Sequence, residues 1–125
     1  MSMDAFKVSS EDGAAMALEE LGPLAAPVGV PLGGPMATRG RTFWRSLDGR
    51  ILTGIWEVEE GRMRAEFSVA DGEMIHCVKG RMVCIEDGGP ATEIGPGDVM
   101  TFPPGWTGEW RVEQTMRKFY TVFQV

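Results

Sequence analysis

Short apolar segments separated by turn residues fill the chain from residue 41 to its end. The clearest segment is residues 62–69, in which polar and apolar side chains alternate strictly, as they do in a half-buried β-strand. Glycine, with acidic residues or proline beside it, interrupts the pattern at residues 47–49, 59–61, 71–72 and 87–90. With turns about every eight to twelve residues, the pattern predicts about nine or ten short strands in an all-β sandwich or barrel.

The N-terminal segment carries the signals of a helix. Residues 9–12, Ser-Ser-Glu-Asp, provide a hydroxyl N-cap followed by acidic side chains in the first turn. Apolar side chains then recur at helical spacing up to Leu21, and Gly22 next to Pro23 ends the pattern. We therefore predict one short helix at about residues 10–21.

Residues 22–40 form a proline- and glycine-rich segment whose prolines lie four residues apart. Proline is excluded from a helix interior and from a central strand, while the valines and leucine between the prolines argue against a free linker. We predict an extended arm that packs on the barrel or on a partner subunit; a partly disordered leader is the alternative. The chain accordingly divides into a helix and arm, residues 1–40, and a β-barrel, residues 41–125.

Composition narrows the range of partners. A chain of 125 residues is long enough for one domain with a sizeable core. Its formal net charge of -6 and its scattered basic residues argue against nucleic acid as a partner. No apolar run approaches the roughly 18 residues of a membrane span, and no secretory signal is visible. Cys77 and Cys84 are expected to be reduced thiols, which predicts a cytoplasmic location.

Two short blocks carry the candidate chemistry. In the first, Glu73 opens an apolar run that Gly80 closes; in the second, Gly97 precedes a Pro-x-Gly at residues 103–105 and then Gly108. These blocks resemble the two signature motifs of the cupins, which are small antiparallel β-barrels. The resemblance implies a double-stranded β-helix, that is, an RmlC-like jelly-roll barrel, preceded here by the short helix and arm.

The cupin resemblance also implies a metal held by three imidazoles and one carboxylate. Two of those histidines would stand at Phe67 and Val69 or, in the other register, at Glu66 and Ser68, and the third at Gly108. None of these positions holds a histidine. Most of the ligand set that the resemblance implies is therefore missing.

His76 is the single histidine of the chain, and on a strand it lies on the face opposite to Glu73. Tight zinc or iron sites need imidazole or thiolate ligands. We therefore expect no tightly bound transition metal and no cofactor. If a metal binds at all, its remaining ligands are Glu73, Glu66 and Cys77.

Between residues 44 and 122 the chain resembles a cupin subgroup related to (S)-ureidoglycine aminohydrolase and to the ethanolamine-utilisation cupin. The shared pattern comprises Gly54, Ile55, Trp56, Glu57, Glu73, Gly80, Gly97, Asp98, Pro103, Gly105, Gly108, Trp110, Arg117, Lys118 and Tyr120. The two-domain aminohydrolase carries its metal ligands in motifs that this chain lacks, so its reaction does not transfer directly. Cupins of this type commonly pair, so the resemblance also implies a homodimer.

Strand periodicity places several of these side chains on shared faces. Lys118 and Tyr120 share one face of their strand. If the faces turn inward, the lumen holds one carboxylate, one ammonium, one phenol and two indoles, a set that suits a small polar or planar molecule. Glu73 and Lys118 are then candidate catalytic acid–base residues. The candidate ligand-binding residues are Trp56, Glu66, Trp110 and Tyr120.

Structural roles are the alternatives for the same residues. The tryptophans and the tyrosine are also consistent with a core, and Glu73 and Lys118 with a buried ion pair that fixes the strand register. Our leading interpretation is a cupin that binds a small molecule in its lumen. One alternative is an enzyme, metal-independent or weakly metal-dependent, that acts like an aminohydrolase on a small nitrogenous or carboxylated metabolite. The other is a structural or assembly protein whose barrel is plugged by Trp56 and Trp110.

Overall fold

The computed structural model describes residues 4–125, which form one short helix and nine strands of a curled antiparallel sheet. Helix α1 spans Ser10–Ala15, and the strands are β1 (Glu19–Pro23), β2 (Val30–Pro31), β3 (Ala37–Arg45), β4 (Ile51–Val58), β5 (Gly61–Glu66), β6 (Asp71–Glu86), β7 (Ala91–Ile94), β8 (Val99–Phe102) and β9 (Thr107–Gln124). The sheet runs β1-β3-β4-β9-β5-β2, and β6 pairs with β7, β8 and β9. The all-β architecture predicted from the turn spacing is confirmed.

Two long strands, β6 and β9, connect the parts of the barrel. β9 pairs with β5 through residues 107–112 and with β4 through residues 116–123, and β6 pairs with β9 over both parts. The register of β6 shifts around Gly80, which has a φ of +81°. A side chain there would collide with the carbonyl oxygen of Thr115. This bulge therefore requires glycine, both for its φ and for the close approach of β9.

The predicted helix at residues 10–21 is wrong in its extent. Ser9 caps α1 as expected, because its hydroxyl accepts a hydrogen bond from the amide of Asp12, but the helix ends at Ala15. Residues 19–23 instead form β1 and pair with β3. A helix of six residues gains few internal hydrogen bonds, and pairing with a sheet edge outweighs the local helical pattern. No helix in residues 4–125 has the length and apolar character needed to cross a bilayer.

The proline-rich segment packs on its own barrel. Leu24 and Met36 are buried in the core, and β2 pairs with β5. β3 begins at Ala37, inside the segment that the sequence pattern placed outside the barrel. Pro23 lies in β1 and Pro31 in β2, the two ends of the sheet order. Prolines are tolerated there because an edge strand has one side without a ladder.

The core contains a group of touching rings, the aromatic cluster, made of Phe67, Phe102, Trp106 and Trp110. Their ring centroids are 5.0 to 6.3 Å apart, and Phe102 contacts the other three rings. Phe102 is fully buried, and both tryptophans are nearly so. The cluster occupies one part of the lumen and leaves the remainder as a cavity.

Candidate functional site

A cavity of about 480 Å³ lies in the lumen of the barrel. The side chains that line it are Pro27 and Val28 of the arm, Leu52 and Trp56 of β4, Glu66, Phe67 and Ser68 at the end of β5, Asp71 and Glu73 of β6, and Trp110, Lys118, Tyr120 and Val122 of β9. Apolar and aromatic groups form most of the wall, and a few polar groups converge on it. This combination is typical of small-molecule sites.

The strand register explains why distant residues meet in this cavity. Lys118 on β9 pairs with Trp56 on β4 and with Cys77 on β6. Glu73 pairs with Val122, further along the same face of β6 and β9. Residues that pair across an antiparallel ladder project to the same side of the sheet, so the register places all these side chains on the inner face.

The ammonium of Lys118 is held by one carboxylate and two indoles. Its Nζ donates a hydrogen bond of 2.7 Å to Oε2 of Glu73, and it lies 4.8 Å from the ring centroid of Trp56 and 4.6 Å from that of Trp110. The Lys118 and Glu73 side chains are only 5% and 8% exposed. The charge-assisted hydrogen bond and the cation–π contacts compensate for lost hydration. The predicted meeting of Glu73 and Lys118 in one cavity is confirmed, and their catalytic role stays a prediction.

Hydrogen-bonding capacity remains at this pair. The bond between Lys118 and Glu73 uses one of two carboxylate oxygens and one of three ammonium protons. The indole N–H of Trp110 is buried and has no hydrogen-bond partner among residues 4–125. Buried polar groups in folded proteins normally have a partner in protein or water. The second carboxylate oxygen and the remaining ammonium protons are the groups of this pair that can accept from and donate to a bound molecule.

The phenol of Tyr120 and the thiols of Cys77 and Cys84 are neutral at physiological pH. Burial raises the pKa of Tyr120, a hydrogen bond with Thr42 opposes the rise, and the charge of Glu73 adds to it. Burial also raises the pKa of Cys84 to about 12 and raises that of Cys77. Tyr120 therefore offers a neutral phenol to the cavity, and neither thiol is present as the nucleophilic thiolate.

Aromatic rings lie at two of the positions where the cupin resemblance places metal-binding histidines, Phe67 in one of the two registers and Trp106 over Gly108. Phe67 stacks on Phe102 with centroids 5.6 Å apart. The ring of Trp106 covers Gly108 so closely that a Cβ there would lie 2.5 Å from Cη2. The space that an imidazole would need at Gly108 is therefore filled by an indole. These residues do not fit a metal held by three imidazoles and a carboxylate.

The three fallback metal ligands differ in their surroundings, and their role as metal ligands stays a prediction. Cys77 is buried, Glu66 is exposed at the rim of the cavity, and Glu73 is already bonded to Lys118. Within the part of the chain that the structure describes, no group of three or more His, Cys, Asp or Glu side chains can hold a metal ion. His76 packs near Phe119 on the other face of β6, as its spacing from Glu73 predicts.

Sequence reasoning missed several lining residues. They are Pro27, Val28, Leu52, Phe67, Ser68, Asp71 and Val122, none of which was proposed as a ligand contact. Leu52 and Val122 were recoverable, because each lies four residues from a predicted inward residue on its strand. The arm residues were not recoverable, because their position depends on where the arm docks.

The family model of the EutQ-like cupin domain matches residues 45–120. A comparison with curated proteins found no match. One similar solved structure is EutQ from Clostridium difficile, with 18% identity over 70% of this chain and 63% of that chain and a TM-score of 0.58. Another is a protein of unknown function from Pseudomonas syringae pv. tomato, with 18% identity over 86% of this chain and 44% of that chain and a TM-score of 0.70. A third is ectoine synthase from P. lautus, with 17% identity over 69% of this chain and 63% of that chain and a TM-score of 0.61.

The chain spans less than two thirds of the length of each of these three proteins. At such identities the likeness shows the fold alone, and that fold is the cupin barrel that the two sequence motifs implied. The family match covers more than half of the chain and includes Glu73, Gly80 and Lys118. The chain belongs to the EutQ-like cupin family.

Proposed function

We propose that this cupin binds a small molecule in its lumen, with Glu73, Lys118 and Tyr120 as its polar contacts and Trp56 and Trp110 as its walls. The observation that carries the proposal is the buried Glu73–Lys118 pair at the wall of a cavity of about 480 Å³. A pair that only fixed the strand register would need no cavity beside it. Small-molecule sites in proteins commonly have this size and this mixture of apolar wall and few polar groups.

The open cavity argues against a plugged structural barrel. Trp56 and Trp110 are buried, as core residues are, yet both line the cavity and neither fills it. Their contact with the Lys118 ammonium gives them a second role, because an indole face screens a buried cation. The two tryptophans therefore serve as core on one side and as cavity wall on the other.

An enzyme that acts like an aminohydrolase on a small nitrogenous or carboxylated metabolite is the second candidate. It is favoured by the single hydrogen bond of 2.7 Å that joins an acid and a base at the cavity. A carboxylate and an ammonium in contact can exchange roles as proton acceptor and donor during a reaction. This candidate adds chemistry to the binding site and uses the same residues.

Blocking the lumen tests the binding proposal. We expect fragments that quench the tryptophan fluorescence of the wild-type protein to lose binding in Val122→Trp, which fills the cavity. Glu93→Gln is the matched control, because Glu93 pairs with Arg81 on the exterior. Equal fragment binding by Val122→Trp and the wild type would place the site outside the lumen, and a library without a single binder would refute the proposal.

We also propose that the protein works without a tightly bound transition metal. The rings of Phe67 and Trp106 fill space that ligand imidazoles would need, and the Glu73 carboxylate is already bonded to the Lys118 ammonium. Elemental analysis of the purified protein should find no stoichiometric zinc, iron, nickel or manganese. About one metal per chain, lost in Glu73→Gln, would contradict this.

A homodimer and a cytoplasmic location stay predictions. The arm exposes Val28, Val30 and Leu32, although it packs on its own barrel. Exposed apolar side chains that lie close together often mark a protein contact. Light scattering should give the mass of two chains for the wild type and of one chain for a Val30→Asp, Leu32→Asp variant; a monomeric wild type would refute the dimer.

A further inference from the structure

We propose that the ligand of the lumen is uncharged and planar and carries an N–H and a C=O next to each other, as a carboxamide or a lactam does. This inference rests on the proposed function. It starts from the balance of charge at the buried pair, then uses the hydrogen bonds that the pair leaves available, and ends with the shape of the wall.

The charges inside the cavity already cancel. Lys118 and Glu73 neutralise each other at 2.7 Å, and both are almost fully buried. A ligand carboxylate would compete with Glu73 for the ammonium and would leave one buried anion without a partner. A ligand ammonium would do the same to Lys118. An unpaired buried charge is strongly unfavourable, so an uncharged ligand fits the site best.

Acidic side chains at the mouth of the cavity further disfavour the binding of an anionic ligand. Glu66 and Asp71 both line the cavity, and both carry carboxylates. Arg64 forms a salt bridge with Glu66 at 3.2 Å and so offsets its charge, whereas Asp71 accepts a hydrogen bond of 2.7 Å from the Ser68 hydroxyl. Ser68 brings no positive charge to the mouth. An anion approaching this side of the mouth therefore meets repulsion before it reaches Lys118.

The hydrogen bonds that remain at the pair match an amide. Oε1 of Glu73 accepts, the spare protons of Lys118 donate, and the two groups are adjacent. An amide presents a donor and an acceptor on neighbouring atoms, so its N–H can bond to the carboxylate while its carbonyl accepts from the ammonium.

The wall of the cavity suits a flat body attached to that amide. Trp56, Trp110 and Phe67 present ring systems to the cavity, and Leu52 and Val122 complete the apolar wall. Flat apolar surfaces favour planar ligands, because stacking buries area without requiring polar contacts. The polar end and the apolar wall together define the ligand class.

Three probes of nearly equal size separate the possibilities: benzamide, benzoate and benzylamine. Binding to the whole protein at neutral pH is measured by calorimetry and by the indole N–H resonances in an NMR titration. We expect benzamide to bind at least about tenfold more tightly than either charged probe. The Trp110 indole resonance, assigned with Trp110→Phe, should shift on benzamide binding.

Glu73→Gln provides the sharper test, because it removes the buried anion and leaves Lys118 charged. The preference should then change from benzamide to benzoate. In the double variant Glu73→Gln, Lys118→Met both charges are gone, and the advantage of benzamide over benzoate should remain while its affinity falls. The outward-facing variant Glu93→Gln should behave as the wild type. Thermal unfolding of each variant, with and without probe, verifies that a folded protein was titrated.

The outcomes distinguish this inference from the proposed function. Wild-type protein that binds benzoate or benzylamine as tightly as benzamide, with loss of that binding in Val122→Trp, would overturn the ligand class and keep the lumen as the site. Binding of other fragments in the lumen without any binding of benzamide, even at millimolar concentration, would also overturn the class. A wild-type protein that binds no fragment would overturn both proposals.

Discussion

Two buried ion pairs lie back to back in the wall of the barrel, and they differ in how completely they are bonded. Arg117 and Lys118 are neighbours on β9, and they pair across the ladder with Glu57 and Trp56, which are neighbours on β4. Because successive residues of a strand point to opposite faces, Lys118 meets Glu73 in the cavity while Arg117 meets Glu57 on the outside. We call these the inner pair and the outer pair.

The outer pair makes more hydrogen bonds than the inner pair. Arg117 donates to Oε1 of Glu57 at 3.0 Å and to three backbone carbonyls in residues 13–16 at 2.7 to 3.2 Å. The other oxygen of Glu57 accepts from Arg39 at 2.9 Å. The side chains of Arg117 and Glu57 are 9% and 6% exposed, so they are as deeply buried as the inner pair.

The inner pair has one hydrogen bond and two indole faces, and a cavity lies beside it. Equal burial therefore does not imply an equal role. The outer pair attaches helix α1 to the barrel wall, and both carboxylate oxygens of Glu57 already accept a hydrogen bond from an arginine. The inner pair keeps an acceptor and donors for another molecule. The two pairs are equally buried but differ in the number of hydrogen bonds that they make. That number therefore distinguishes the structural ion pair from the pair at the candidate site.

The largest effect is expected from breaking the outer pair. Arg117→Met should lower the free energy of unfolding by about 3–5 kcal/mol, because it leaves buried polar groups without a partner. The matched control is Arg111→Met on the same strand, where the arginine is 51% exposed and bonded to Glu109; its cost should be about 0–1 kcal/mol. Urea unfolding of both variants measures the difference. Equal losses in the free energy of unfolding for Arg111→Met and Arg117→Met would show that the outer pair has no special structural role.

A smaller effect should separate the pairs by their coupling. Glu73→Gln and Lys118→Met each leave one unpaired buried charge, so the double variant should lose less stability than the sum of the single variants, with a coupling of roughly 1–3 kcal/mol. In the outer pair, Glu57→Gln should recover little of the loss caused by Arg117→Met, because the carbonyls of α1 stay unpaired. Single effects that simply add at the inner pair would show that Glu73 and Lys118 are not partners.

A third effect, comparable in size with the coupling, concerns alkaline pH and the inner side of the wall. Burial raises the pKa of Cys84 from 9.0 to about 12, so the folded protein keeps this proton while the unfolded chain loses it. The stability that this thiol contributes is complete below pH 9.0 and decreases as the pH rises toward about 12. The decrease can reach about 1.4 kcal/mol per pH unit.

Urea unfolding between neutral pH and about pH 11 measures this slope. The alkaline slope should be shallower in Cys84→Ala, after allowance for its lower stability at neutral pH. Glu93→Gln, on the exterior, should keep the wild-type slope. Identical slopes in the wild type and Cys84→Ala would show that the thiol beside the inner pair is not protected from ionisation.

Several features of the site followed from the sequence because they depend only on local strand geometry. Alternation along a strand is a property of the backbone, so the opposite orientations of Glu73 and His76 and the shared face of Lys118 and Tyr120 could be predicted. Gly80 was recognised from motif spacing, and its positive φ gives the physical reason for the residue. The signal of an N-cap at Ser9 was equally local and is confirmed.

Other features were beyond the sequence because they depend on which distant segments meet. Residues 19–21 carry a helical pattern, yet they pair with β3, since the edge of the sheet supplies hydrogen bonds that a short helix cannot. The arm brings Pro27 and Val28 to the cavity only because its flanking residues enter the core. Local patterns contain no information about such docking.

Turn spacing and the two motifs were enough to predict an antiparallel β-barrel of the cupin type that lacks the family's histidines, because these signals lie within single strands and turns. The groups found at the expected metal site became known from the folded chain: the rings of Phe67 and Trp106, and the ammonium of Lys118 bonded to Glu73. The physical reason is that strand register and sheet curvature determine contacts across the lumen, and both arise from the packing of the whole chain.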